Sequence, residues 1–451
     1  MTTMTTVDTY WCEMAWLGGP AVAEAVLVRA DHGRITEVSP DTLCPPDAAR
    51  LAGLTLPGLA NVHSHAFQRA LRGRTQVGTG SFWTWREQMY DLAARLTPDA
   101  YHRLARAVYG EMAMAGITCV GEFHYLHHGP GGVPYDDPLA MSEALVAAAG
   151  EAGVRLTLLD TCYLHGGIGV APSEVQRRFS DGDAGRWAAR AELSAKRFNG
   201  PLVRVGAAVH SVRAVDKRAI GAVGAWAERH AAPLHAHISE QRAENDQCIA
   251  AYSQTPTGLF AEHGLLDDRF TAVHATHLAV DDIGQLGGAR CTIALCPTTE
   301  RDLADGIGPA AALRVAGAAL ALGSDSHAVI DLFEEARAVE LDERLASNVR
   351  GHHDAAVLLR AATSNGHRCL GWADAGVIAV GAPADLVSVR LDTVRTAGTR
   401  RDVALEAAVF SAGAADVHHV VVGGEVVVCE GRHVRFDVAG ELAAAIGEVL
   451  T

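Results

Sequence analysis

Two histidines one residue apart, His63 and His65, close the run Leu56-Pro57-Gly58-Leu59-Ala60-Asn61-Val62-His63-Ser64-His65. In a strand, residues i and i+2 point to the same side, so both imidazoles can aim at one point just past the strand end. Neutral imidazole is the commonest side-chain metal ligand near neutral pH. A His-x-His pair alone is weak evidence, because two surface histidines produce it easily. Its weight comes from two later segments, each placing polar residues where a short apolar run ends. His237 stands in Leu234-His235-Ala236-His237-Ile238-Ser239-Glu240, and Asp325 in Leu322-Gly323-Ser324-Asp325-Ser326-His327. Three imidazoles and a carboxylate suit one catalytic cation that leaves a position for water. Such a cation lowers the pKa of water toward about 7, which makes hydroxide available at neutral pH.

Other residue types fit a hydrolytic reaction at the same place. Glu240, three residues after His237, reads as a proton shuttle or as a helix-start carboxylate favoured by the macrodipole. Beside a ligand histidine the first reading is preferred. His274 ends another apolar run and is placed to hydrogen-bond an attacking oxygen, while Asp325 can both ligate and accept a proton. His235 reads as a buried histidine with satisfied nitrogens.

These residues need elements to position them. Eight short apolar runs recur: Gly58–Val62, Ile117–Glu122, Arg155–Asp160, Val203–Val209, Pro233–Ala236, Phe270–Val273, Cys291–Leu295 and Ala318–Leu322. Between them lie Ala-rich amphipathic stretches such as Tyr101–Ala115, Pro138–Ala152 and Ala214–His230. Alternating strand and helix predicts a parallel sheet, and eight such units closing on themselves form an α/β architecture, the (β/α)8 TIM barrel. Catalytic groups in that fold sit at the C-terminal strand ends. That is where this chain carries His63/His65, Glu122/His124/Tyr125, Tyr163/His165, His210/Arg213, His237/Glu240, His274/His277, Thr298/Glu300 and Asp325/His327. Core packing does not explain so many histidines in that position.

The two chain ends read differently. Thr9–Met14, Ala23–Arg29 and Arg34–Val38 form one set of short strands, with a turn at Asp31-His32-Gly33. Val377–Val380, Asp385–Arg390, Val417–Val422 and Glu425–Cys429 form another, with Gly423-Gly424 as a hairpin turn. Residues 1–56 and 372–451 are therefore expected to pair into one small β-sandwich domain, with the barrel over 57–371.

At 451 residues the chain exceeds what one compact core usually holds. A net charge of −15 argues against nucleic acid or an anionic membrane as partner, though local arginines can still hold a small anion. Nine scattered cysteines without a Cys-x-x-Cys pair fit a reducing cytoplasm. The segment Met1–Asp8 has no basic and apolar leader pattern, and no apolar run reaches membrane-spanning length.

Together these residues resemble the amidohydrolase superfamily in its single-metal deaminase branch. Within it the wording is most similar to the N-formimino-L-glutamate deiminases of histidine degradation. The carrying segments are Asn61–Ala70, Ser81–Tyr90, Gly121–His128, His210–Val215 and Val273–His277. Phe82-Trp83-Thr84-Trp85-Arg86 and Glu122-Phe123-His124-Tyr125 are the most discriminating. The resemblance implies hydrolysis of the formimino group to ammonia and N-formyl-L-glutamate. It also implies substrate-binding roles for Gln68, Arg86, Tyr125, His210 and Arg213. Arginine forks and tyrosine or histidine donors suit a small dianionic substrate. On residues alone, Arg86 reads equally as a surface arginine covering aromatic area, and Arg213 as a solvated loop charge. Two-metal relatives commonly use a carboxylated lysine on the fourth strand; Val203–His210 has none, so one ion per chain is expected. Zinc is the expectation, and iron(II) accepts the same ligands. A homodimer is expected from the superfamily. The segment Leu295–Arg301 gives no reason to assign Glu300 a role. Two rival readings stand beside this one. One is a deaminase of a purine, pterin or other cyclic amine, which needs ring stacking rather than carboxylate clamps. The other is a non-catalytic scaffold, which lost ligands would signal.

Overall fold

A computed structural model describes residues 9–451. The reading of Met1–Asp8 as lacking a leader lies outside the described residues. Four strands from the N-terminal region, β1 (Thr9–Ala15), β2 (Ala23–Asp31), β3 (Arg34–Ser39) and β4 (Ala49–Pro57), lead directly into the barrel. Its strands are β5 (Leu59–Ser64), β6 (Ile117–His124), β7 (Arg155–Cys162), β8 (Val203–Val209), β9 (Leu234–Ile238), β10 (Phe270–His274), β11 (Thr292–Leu295) and β12 (Ala319–Leu322). The chain returns through β13 (Leu386–Val389), β14 (Val417–Val422), β15 (Glu425–Cys429) and β16 (Arg432–His433).

Both ends share one eight-stranded sheet in the order β16-β15-β14-β13-β4-β1-β2-β3, antiparallel except where β1 runs parallel to β4. β5 to β12 pair in sequence order and all parallel. Closure comes from β12 meeting β5. The Asp325 amide donates to the His63 carbonyl at 2.9 Å, and the His65 amide to the Asp325 carbonyl at 3.2 Å. Those bonds bring together two segments some 260 residues apart, and both carry candidate ligands.

The barrel strands are buried along nearly their whole length and read as continuous apolar runs, as expected where helices cover the outer face. Gly58 is the hinge between sheet and barrel. A Cβ there would lie 2.1 Å from the Thr118 hydroxyl, so only glycine allows β4 to pass into β5. Arg155 at the start of β7 reaches back to Asp385 with paired bonds of 2.8 and 3.1 Å, tying the barrel floor to the end sheet.

Two boundaries differ from the sequence expectation for identifiable reasons. The stretch Val377–Val380 is not a strand; Gly376 and Gly381 flank it at φ of 74° and 92°, and it forms bends instead. The helix expected from Ala214 begins at Lys217, because the Asp216 carboxylate accepts the amides of Arg218 and Ala219 and caps it there. No helix among the described residues is long and apolar enough to cross a membrane.

Candidate active site

The C-terminal ends of the barrel strands converge on one buried cluster. His63 Nε2 lies 3.0 Å from His237 Nε2 and 3.2 Å from Asp325 Oδ1, and His65 Nε2 lies 3.3 Å from the same oxygen. The backbone makes this convergence. His274 and Asp325 take left-handed conformations, with φ of 67° and 43°, which turn the chain at the ends of β10 and β12. Non-glycine residues adopt that region at a cost, and it persists only where surrounding structure enforces it.

Hydrogen bonds orient the rings. His237 Nδ1 meets the His210 carbonyl at 2.8 Å, and His65 Nδ1 meets the Phe123 carbonyl at 3.0 Å. A carbonyl only accepts, so each Nδ1 carries the proton and each Nε2 turns a lone pair into the cluster. Burial, reinforced by neighbouring imidazoles, pushes the pKa values of His63 and His237 well down and that of His65 to about 3, so these rings stay neutral. The lone pairs of His65 and His237 and the Asp325 carboxylate therefore face one another. Such acceptors repel unless a cation lies among them, so the donor set fits a metal ion.

The structure thus brings together all four ligands expected from sequence. His274 stands beside them: side-chain atoms of His63, His237, His274 and Asp325 all lie within 4.8 Å of one another. His274 Nε2 is 3.9 Å from Glu240 Oε1 and 4.0 Å from Asp325 Oδ2, while its Nδ1 is 3.3 Å from Glu300 Oε1. Burial alone would hold this imidazole neutral. The hydrogen bond to Glu300 and the charges of Glu240 and Asp325 outweigh it and raise the pKa to about 10. Glu300 is a contact of His274 that sequence reasoning missed. In Pro297-Thr298-Thr299-Glu300 it looks like a helix-start carboxylate, and nothing local links it to a histidine 26 residues earlier.

Glu240 lies at the cluster's edge, its Oε2 accepting from Arg213 Nη2 at 2.8 Å. Arg213 Nε lies 3.1 Å from Glu244 Oε2, and Glu244 Oε1 accepts the Ser239 amide at 3.0 Å. With a side chain only 10% exposed, Arg213 is no solvated loop charge. Burial raises the Glu244 carboxyl and Arg213 opposes it, leaving its pKa at about 7.

The expected substrate residues share one cavity with these groups. Arg86, on the helix Phe82–Arg95, has its guanidinium 4.6 Å from the Trp83 ring centre and 5.5 Å from that of Tyr90. Among the described residues it has no acidic partner. Gln68 Nε2 donates to the Tyr125 hydroxyl at 3.1 Å, and the His210 ring centre lies 5.1 Å from that of His237. Glu122 accepts from the Ser64 hydroxyl at 2.6 Å and the Ala66 amide at 2.7 Å, which stiffens the segment between the two ligand histidines. Other strand-end histidines stay apart. His327 bridges the Ser64 and Ser324 hydroxyls, His124 packs against His127, and His235 Nε2 meets the Cys369 carbonyl.

A parallel eight-stranded barrel with this candidate metal cluster at its C-terminal mouth is the architecture of a barrel hydrolase. The chain belongs to the amidohydrolase family, whose model matches residues 54–427. It is 38% identical over 439 residues to the formimidoylglutamate deiminase of Pseudomonas aeruginosa, covering 93% of this chain and 94% of that one. Among solved structures it resembles an amidohydrolase from Brucella melitensis, with a TM-score of 0.92 and 33% identity over 98% of this chain and all of that one. It also resembles an adenosine deaminase from Xanthomonas campestris with bound zinc, with a TM-score of 0.82 and 26% identity over 97% and 96% of the two chains.

Proposed function

We propose that this chain hydrolyses N-formimino-L-glutamate to N-formyl-L-glutamate and ammonia. One observation carries the reading. Two guanidinium groups, Arg86 and Arg213, and the donors of Gln68, Tyr125 and His210 line the cavity whose other wall is the His/Asp cluster. That arrangement offers recognition for two carboxylates beside a hydrolytic centre. The 38% identity to a formimidoylglutamate deiminase points the same way.

His63, His65, His237 and Asp325 would hold the ion, and zinc, bound in the Xanthomonas neighbour, fits this donor set. Once bound, the ion supplies Lewis-acid activation of water. The chain's own residues do the rest. Glu240 accepts a proton as the water oxygen bonds to the formimino carbon, and the C=N electron pair moves onto nitrogen. His274, held by Glu300, donates a hydrogen bond to that oxygen and steadies its developing charge. Glu240 then hands its proton to the terminal nitrogen; Asp325 takes the remaining hydroxyl proton and passes it to the same nitrogen, so the C=O bond forms, the C–N bond breaks, and ammonia leaves with both water protons. Arg213 donates to Glu240 and lines the same cavity, so substrate binding and proton transfer would share one guanidinium.

A second reading, deamination of a purine, draws on the aromatic lining of Phe82, Trp85 and Phe179 and on the adenosine deaminase neighbour. Ammonia release measured with formiminoglutamate beside guanine, cytosine and adenosine separates them. Turnover of a base or nucleoside with none of formiminoglutamate would overturn the first reading.

A further inference from the structure

Gln176 takes no part in the chemistry above, yet its amide is held in one orientation. It is 4% exposed and begins the short turn Gln176–Phe179. Its Oε1 accepts the Ser173 amide at 2.9 Å. A backbone N–H can only donate, so this contact settles which end of the side chain is oxygen. The Nε2 end then reaches two phenols, Tyr163 at 2.8 Å and Tyr90 at 3.0 Å. One amide proton serves each hydroxyl.

The consequence lies in what the phenols can still offer. Each already accepts from Gln176, so each is left with its own O–H to donate. The two hydroxyls are 3.5 Å apart, the outer limit of a hydrogen bond, so neither satisfies the other well. Both tyrosines line the cavity that holds Arg86 and Arg213, and the Tyr163 ring centre lies 4.5 Å from that of His210. Burial, with Tyr90 beside it, raises the Tyr163 pKa well above the ordinary phenol value, so this hydroxyl keeps its proton at working pH.

We infer that Gln176 sets Tyr163 and Tyr90 as a donor-only clamp that, with an arginine of the same cavity, reads the substrate's distal carboxylate and rejects its amide. The inference rests on the formiminoglutamate reading and deepens it. A carboxylate is acceptor-only and takes both phenol protons. A carboxamide turns an NH2 group toward donors and leaves unpaired groups in a buried site, the kind of mismatch that discriminates most strongly.

The test compares N-formimino-L-glutamate with N-formimino-L-glutamine on the metal-loaded enzyme, with glutarate binding followed by calorimetry. Tyr163→Phe is expected to raise KM for the dicarboxylate about tenfold or more, beyond any fall in kcat, and to weaken glutarate about tenfold. Its effect on the glutamine analogue should stay below about threefold, because that substrate never gained the bond. Gln176→Glu gives a second, independent arm. A carboxylate there accepts both phenol protons and turns the hydroxyl lone pairs toward the cavity. Preference for acid over amide should then fall further than in Tyr163→Phe. Equal losses on both substrates in Tyr163→Phe, or an unchanged preference in Gln176→Glu, would make the tyrosines mere packing and overturn the clamp. If wild type released no ammonia from formiminoglutamate while Tyr163→Phe still weakened glutarate, the substrate reading would fall and the carboxylate clamp would stand.

Discussion

Arg213→Met tests how one guanidinium serves both binding and fold. Its side chain is 10% exposed and spans Glu240 at 2.8 Å and Glu244 at 3.1 Å. Removing one partner of a buried ion pair costs about 3–5 kcal/mol, because the other charge is left uncompensated. Here the cost should depend on pH. The Glu244 carboxyl has a folded pKa of about 7 against 4.5 ordinarily. The folded state therefore binds the extra proton across that window, and stability falls as pH rises through it. Arg213 is the main opposing influence on that carboxyl. Without it the pKa moves higher, and the fall continues above pH 7. Urea denaturation at pH 6 and pH 8 should show the smaller loss at pH 6, where Glu244 can take up a proton. Activity carries the second signature. A desolvated charge-assisted contact to a substrate carboxylate is worth about 1.5–3 kcal/mol, so kcat/KM on formiminoglutamate should drop at least about tenfold. N-formiminoglycine lacks the distal carboxylate and should lose less in whichever arginine variant held that group. Arg86→Met is the control: Arg86 has no acidic partner among the described residues, so the variant should lose kcat/KM on formiminoglutamate without the pH-dependent stability loss. Equal factors on both substrates in both variants would refute reading of the distal carboxylate by either arginine. Identical stability losses at pH 6 and pH 8 in Arg213→Met would refute the ion-pair account.

Glu240→Gln should keep its metal yet lose about 10²–10⁴-fold in kcat, since the amide cannot take a proton from water; near wild-type turnover would reduce Glu240 to a partner of Arg213. Elemental analysis of protein purified without chelator should give about one divalent ion per chain, as expected of a single donor cluster among the described residues; a reproducible two-ion stoichiometry in the barrel would contradict it. Glu300→Gln should lower kcat about tenfold with little change in KM, because it weakens the group holding His274 Nδ1 rather than a substrate contact; a change confined to KM would count against that role.

Much of the site was legible in the sequence because its information is local. The period of two places His63 and His65 on one side of β5, and apolar run lengths mark where strands end. The position of Glu240, three residues past His237 at the strand end, follows from the same short-range geometry. The relations that decide how the site works are not local. Glu300 meets His274 across 26 residues, Gln176 meets Tyr90 across 86, and Arg213 is shared by Glu240 and Glu244. Each distance exists only after the barrel closes at Ser64 and Asp325, and closure is a property of all eight strands together. The sequence left Arg213 readable as a solvated charge and Glu300 without a role, because neither burial nor a partner on another strand is written in the residues beside them. Tautomers follow the same rule: which nitrogen of His237 carries the proton is set by the His210 carbonyl, brought to 2.8 Å only by the packing of β8 beside β9.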